Sequence, residues 1–136
     1  MSKFECVIAP DFSIFSDVPA PVNMWNVYRN KLLGAWMQSN GLKVIPTVTW
    51  SEYESFPYCF SGLPQNSTLA VSTVGSCTTK RSRNVLEHGI RRVLSELTPK
   101  ILLVYGEKID TDTDNTQIVY YDNKILKRLK EYRRKK

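Results

Sequence analysis

Four short apolar runs each stop at a cluster of polar residues and turn formers. They are Cys6-Val7-Ile8-Ala9 before Pro10-Asp11-Phe12-Ser13, Val44-Ile45 before Pro46-Thr47, Leu69-Ala70-Val71 before Ser72-Thr73-Val74-Gly75-Ser76, and Ile101-Leu102-Leu103-Val104 before Tyr105-Gly106. Runs of this length between turn residues read as buried strands. They predict strands over 4–10, 43–49, 68–73 and 100–105, with a fifth over Gln117–Tyr121. A proline lacks the donor that an interior strand uses, so Pro46 should make strand two end early or sit near an edge.

Helical spacing fills the gaps. Asn23 is placed to cap a helix to about Ser39, which Gly41 ends. Trp25, Tyr28, Leu32 and Trp36 follow one another by 3, 4 and 4 positions and share a face, which is expected to pack on the core. Residues 51–63 carry both an alternating pattern (Phe56, Tyr58, Phe60) and a capping-box pattern (Ser51, Glu54), and predict a short irregular helix. A helix from about Lys80 to Thr98 shows Leu86, Ile90, Val93, Leu94 and Leu97 on one side. A last one from Asn123 shows Ile125, Leu126, Leu129 and Tyr132. The alternation predicts an α/β fold: one three-layer domain over 1–123, with a mainly parallel sheet of about five strands flanked by helices. Residues 124–136 form a basic C-terminal helix or tail.

Composition adds limits. The chain of 136 residues is long enough for one core, and no apolar run reaches the roughly 20 residues of a membrane helix. The N-terminus has no signal-peptide core, so a cytoplasmic protein with no membrane partner is expected. Cys6, Cys59 and Cys77 are an odd, scattered set, which argues against a disulfide framework. Cys6 is expected in a buried strand, and Cys77 just before a helix start. The net charge of +6 is unevenly placed. Eight basic residues against Asp122 and Glu131 in 121–136 carry all of it, and the rest of the chain is balanced. Such a tail is either a solvated helix end or an arm for phosphate backbones, in which case Lys127, Arg128, Arg133 and Arg134 would bind nucleic acid.

In open α/β sheets the ligand site lies outside the carboxyl ends of the strands. The turn Ser72-Thr73-Val74-Gly75-Ser76 offers hydroxyls, a glycine and a following helix start, with Lys80, Arg81 and Arg83 close by. Helix starts attract anions, although the same composition also serves plain capping. Neither a Walker loop nor a Rossmann glycine motif is present. Asp11 after strand one and Glu52 after strand two are candidate catalytic carboxylates, either as acid and base or around a divalent ion. Alternatively, Asp11 caps its own turn and Glu52 faces water. Asp110, Asp112 and Asp114 lack the glycine and glutamate of a calcium loop, so no metal ligand set is assigned. His88 is the one histidine, which removes di-histidine metal sites. No cofactor is indicated.

Several of these segments resemble DUF4417, a family of uncharacterised bacterial and phage proteins. The resemblance is carried by Pro10-Asp11-Phe12-Ser13, Trp25-Asn26-Val27-Tyr28-Arg29, Gly41-Leu42-Lys43-Val44-Ile45-Pro46 with Trp50, Gly62-Leu63-Pro64 with Asn66-Ser67, Ser72-Thr73-Val74-Gly75 and Val104-Tyr105-Gly106. It implies a phage or mobile-element setting in a host cell and no particular activity. It groups Asp11, Arg29, Trp50, Gly75 and Tyr105, with Arg29 either at the strand ends or paired with Asp11. Three readings follow. One is an accessory protein binding nucleic acid or a nucleotide through Arg29, Trp50, Ser72, Thr73, Gly75, Ser76, Lys80, Arg81 and Tyr105. Another is a metal-assisted hydrolase or nuclease using Asp11 and Glu52. The third is a module that inhibits a host protein through an exposed patch of Tyr53, Phe56, Tyr58 and Phe60.

Overall fold

The structure, a computed structural model, describes residues 4–76, 78–113 and 115–123. Its elements run β1 (Val7–Ile8), α1 (Ala20–Ser39), β2 (Val44–Ile45), a 3-10 turn (Tyr53–Ser55) leading into α2 (Phe56–Phe60), β3 (Thr68–Ser72), α3 (Lys80–Arg92), a π-helical turn (Val93–Leu97), β4 (Ile101–Tyr105) and β5 (Gln117–Tyr121). The α/β alternation and the irregular helix after residue 51 are as the sequence predicts. The expected helix from Asn123 onward, Cys77, and the basic residues Lys127, Arg128, Arg133 and Arg134 lie outside the described residues.

All strand pairs are parallel, but they form two sheets, β1-β2 and β3-β4-β5. A single bridge between Thr47 and Ala70 joins them, with Val48 N donating to Ala70 O (2.8 Å) and Ala70 N to Pro46 O (2.9 Å). Pro46 explains the break: it cannot donate to a ladder, so β2 stops at Ile45 and the chain meets β3 only through the two hydrogen bonds at Ala70. The strand order thus follows the chain order. Where such an order is joined by right-handed crossovers, the connecting helices fall on one face of the strands.

That face is the core. Leu69 and Val71 of β3 align with Leu102 and Val104 of β4, all buried with Val48, Phe56, Phe60, Leu86, Ile90 and Val93. α1 lies over the same side: a Cβ built on Gly34 would stand 3.6 Å from Ala9 Cβ and 3.9 Å from Val44 Cγ1. Lys31 ties α1 to α2 by donating to the carbonyls of Tyr58 (3.0 Å) and Ser61. Among the described residues there are thus helices with two small parallel sheets of two and three strands, where one sheet of about five strands was expected.

The larger correction concerns α1. Its aromatic stripe faces solvent: Trp25, Tyr28, Leu32 and Trp36 are 56%, 53%, 49% and 58% exposed. The buried side is the opposite one, made of Asn23, Val27, Asn30 and Gly34. Two features select it. Gly34 lets the helix approach β1 and β2 closely. The asparagines pair with the backbone of the segment after β1 much as a neighbouring strand would. Asn30 Oδ1 accepts from Phe12 N (2.6 Å), Asn23 Oδ1 accepts from Phe15 N (3.0 Å) while its Nδ2 donates to Phe15 O (2.7 Å), and Asn26 Nδ2 donates to Ser13 O (2.8 Å). Loop amides that would otherwise be orphaned under a helix are satisfied.

Cys6 is exposed rather than buried, because β1 is only two residues long and begins after it. Cys59 is buried in α2, and burial pushes its thiol up to about 11, outweighing the Ser55 hydrogen bond and nearby Lys31. The expected patch of Tyr53, Phe56, Tyr58 and Phe60 does not exist as a continuous exposed surface: Phe56 and Phe60 are core residues, while Tyr53 stays half exposed with its ring edge-on to His88 at 4.8 Å. Among the described residues no helix is long and apolar enough to cross a membrane.

Candidate functional site

A cleft of 840 Å³ opens where β1, β2 and β3 end. Its walls are the loop 11–17, the segment 48–52, the turn after β3 and the first turns of α3. Because strand order follows chain order, the cleft does not mark a reversal of the sheet. It forms because β1 and β2 are short and the segment after β1 is drawn toward α1 by Asn23, Asn26 and Asn30.

The floor is apolar: Ile14, Val48, Val71, Val85 and Leu86, with the Trp50 indole at one side. Trp50 lies in a slot on α3. Its Nε1 donates to Val85 O (3.3 Å), and its ring meets Phe56 and Phe60 at centroid distances of 6.2 Å each. Gly89 makes the slot, since a Cβ there would stand 2.1 Å from Trp50 Cε2. Sequence reasoning missed Gly89, although a glycine inside an otherwise regular helical pattern is a usual sign of close approach.

The rim is polar and carries both signs of charge. Ser72, Gly75, Ser76, Thr79, Ser82 and Arg81 line it. Gly75 takes φ +81°, a turn conformation that a side chain would strain. Thr79 caps α3 in a reciprocal box: Thr79 Oγ1 accepts from Ser82 N (3.1 Å) and Ser82 Oγ accepts from Thr79 N (3.0 Å). The same lining includes the carboxylates Asp11, Asp17 and Glu52. Partial desolvation by its neighbours raises the Asp11 carboxyl above its ordinary value of 3.8, although the residue keeps an exposed surface. Glu52 already accepts from Arg81 Nη2 at 3.2 Å. Among the described residues no group of three or more His, Cys, Asp or Glu side chains is arranged to hold a metal ion.

The expected site residues divide accordingly. Asp11, Glu52, Trp50, Ser72, Gly75, Ser76 and Arg81 line the cleft together. Thr73, Lys80, Tyr105 and Arg29 are not among its lining residues. Thr73 is buried as a tie between strand ends, its Oγ1 accepting from Glu107 N (2.6 Å) and donating to Glu107 O (3.0 Å). Arg29 turns away: its guanidinium lies 4.1 Å from the Phe12 ring centroid and bonds Asn26 Oδ1, and among the described residues it forms no ion pair with Asp11.

The family model described as "Domain of unknown function (DUF4417)" matches residues 1–122. The "Gene 1 protein" of Mycobacterium phage L5 is 38% identical over 100 residues, covering 74% of this chain and 44% of the relative. The "Gene 1 protein" of Mycobacterium phage D29 is 34% identical over 125 residues, covering 92% of this chain and 43% of the relative. The chain thus spans less than half the length of these curated relatives. No solved structure matches.

Proposed function

The chain belongs to the DUF4417 family, and from that premise we propose that it is a phage accessory protein that binds a nucleotide in the strand-end cleft. The observation that carries this reading is the mixed lining of one cleft: hydroxyls, the Gly75 turn, a helix start and Arg81 together with the carboxylates Asp11, Asp17 and Glu52, around apolar residues. A polynucleotide backbone presents anionic phosphates along its whole length and would meet Asp11, Asp17 and Glu52 unfavourably. A single nucleotide is bipolar. Its phosphate suits the Gly75 turn, the start of α3 and Arg81, where helix amides lack partners within the helix and the dipole favours anions. Its ribose hydroxyls are donors that carboxylates accept. The apolar floor beside Trp50 suits a base.

The test is calorimetric titration of the full chain with a panel of nucleoside mono-, di- and triphosphates. Binding is expected to weaken by about tenfold or more in Arg81→Ala, since a charge-assisted contact is lost. It should persist when Lys127, Arg128, Arg133 and Arg134 are all replaced by alanine. Failure of every nucleotide to bind overturns the proposal. A separate role for the tail as a nucleic-acid arm predicts affinity for DNA or RNA that falls steeply with salt and is lost in the fourfold alanine variant. One observation favours a hydrolytic reading as well: Asp11 and Glu52 line the same cleft. Product analysis of the titrated samples, with and without divalent cations, tests it, and turnover should be lost in Asp11→Asn.

A further inference from the structure

We propose that the outward face of α1 is a homodimer interface, in which the stripe of one copy packs against the same stripe of a second. Val22, Met24, Trp25, Tyr28, Leu32 and Trp36 all stand exposed on this helix. Trp25 and Tyr28 stack with centroids 5.6 Å apart and planes 24° from parallel, so the surface is already ordered. From Trp25 to Trp36 it runs about 17 Å along the helix axis.

Charge selects the partner. α1 contains no acidic residue, and its two cations are engaged within the molecule: Lys31 donates to the carbonyls of Tyr58 and Ser61, and the Arg29 guanidinium lies 4.1 Å from the Phe12 ring centroid and 5.9 Å from that of Trp25 beside the stripe. The face therefore carries no carboxylate and a single aromatic-bound cation, and what two copies would share is predominantly apolar. A two-fold contact requires such self-complementarity. The chain outside 121–136 is also electrically balanced, so the net charge of +6 that two copies must bring together belongs to that terminal segment and not to α1. The area suffices as well. Six large side chains, each about half exposed, supply roughly 600 Å² per copy and about 1,200 Å² in a pair, at the lower limit of specific interfaces. The 3-4-4 spacing suits helix packing at a shallow angle, and an antiparallel pair also opposes the two helix dipoles.

Sedimentation equilibrium on the full chain, from micromolar to hundreds of micromolar, tests this. A dimer is expected that holds or tightens in high salt, because its contact is apolar. Leu32→Glu, at the centre of the stripe and away from the core, should raise the dissociation constant by about 30-fold or more, the scale of a central hot spot. Trp36→Gln is the second variant, should the first lose its circular-dichroism signature. A wild-type protein that stays monomeric throughout the range overturns the proposal. So does a dimer that survives both substitutions, or one that dissolves in high salt, since another face would then hold it. Leu32→Cys in a Cys6→Ser background adds an arm specific to the two-fold geometry: Leu32 lies near the axis, so an intermolecular disulfide should form above the level of the background protein. Its absence in a dimeric sample overturns the antiparallel register.

Discussion

Replacing Gly89 by alanine tests the slot that holds Trp50. On helix propensity alone the change should stabilise α3, by about 0.8–1.0 kcal/mol. The structure predicts the opposite. The new Cβ would stand 2.1 Å from Trp50 Cε2, 2.3 Å from Nε1 and 2.5 Å from Cζ2, distances at which something must move. The helix backbone is fixed by its own hydrogen bonds, so the indole must leave. Overpacking of this kind costs about 1–3 kcal/mol. The Trp50 Nε1 bond to Val85 O goes with it, at about 0.5–1.5 kcal/mol. After the propensity gain is subtracted, a net loss of about 1–3 kcal/mol remains, or a fall in Tm of about 4–10 °C for a chain of this size. Thermal melts of four proteins decide the matter: wild type, Gly89→Ala, Trp50→Leu and the double variant. With the indole gone, the same alanine should stabilise by about 1 kcal/mol, so the effect changes sign across the cycle. A Gly89→Ala protein that melts above wild type, or an equal effect in both backgrounds, would refute the reasoning.

Two further predictions concern the segment after β1. Asn23→Asp keeps the acceptor for Phe15 N but turns the donor that faces Phe15 O into a second acceptor, so it should destabilise by about 1–3 kcal/mol; equal urea midpoints for the variant and wild type would show that the amide is not acting as a surrogate strand. Asp11→Asn should behave according to the raised folded-state pKa of Asp11. Below the ordinary value of 3.8 both states are protonated and variant and wild type should match; as pH rises through that value the unfolded state ionises first, wild-type stability falls, and the variant should be the more stable up to neutral pH. Urea midpoints measured across the acid range would contradict this if the difference were constant with pH or favoured the wild type.

The strands and the position of the cleft were legible because each apolar run ends at a turn former, and parallel strands in chain order bring those ends to one edge. The number of sheets was less so: Pro46 foretold an interruption, but a sequence does not show that one bridge at Thr47 and Ala70 would be all that spans it. The orientation of α1 was misread for a definite physical reason. Helical periodicity says which residues share a face, not which face points inward. Large aromatics usually win the interior, but here the interior side had to satisfy the amides of Phe12 and Phe15 and come close to Ala9 and Val44. Two asparagines and a glycine do that, and an indole does not. The signal was present as a second stripe, Asn23, Val27, Asn30 and Gly34, also at helical spacing. Asp11 and Glu52 line one cleft, and Arg81 was read as an anion ligand without its pairing to Glu52, because the distance from residue 52 to 81 is closed only by the fold.

The sequential order of the strands also bears on how the chain assembles. Each strand pairs with the one made just before it, and the longest of these pairings joins Val7 to Val44. Every loop is thus closed over a modest length, which keeps contact order low for a parallel sheet and folding correspondingly quick. No strand must wait for a distant partner or be threaded between two already in place. The chain can therefore lay down its described strands in the direction of synthesis, each adding to a finished edge as it leaves the ribosome.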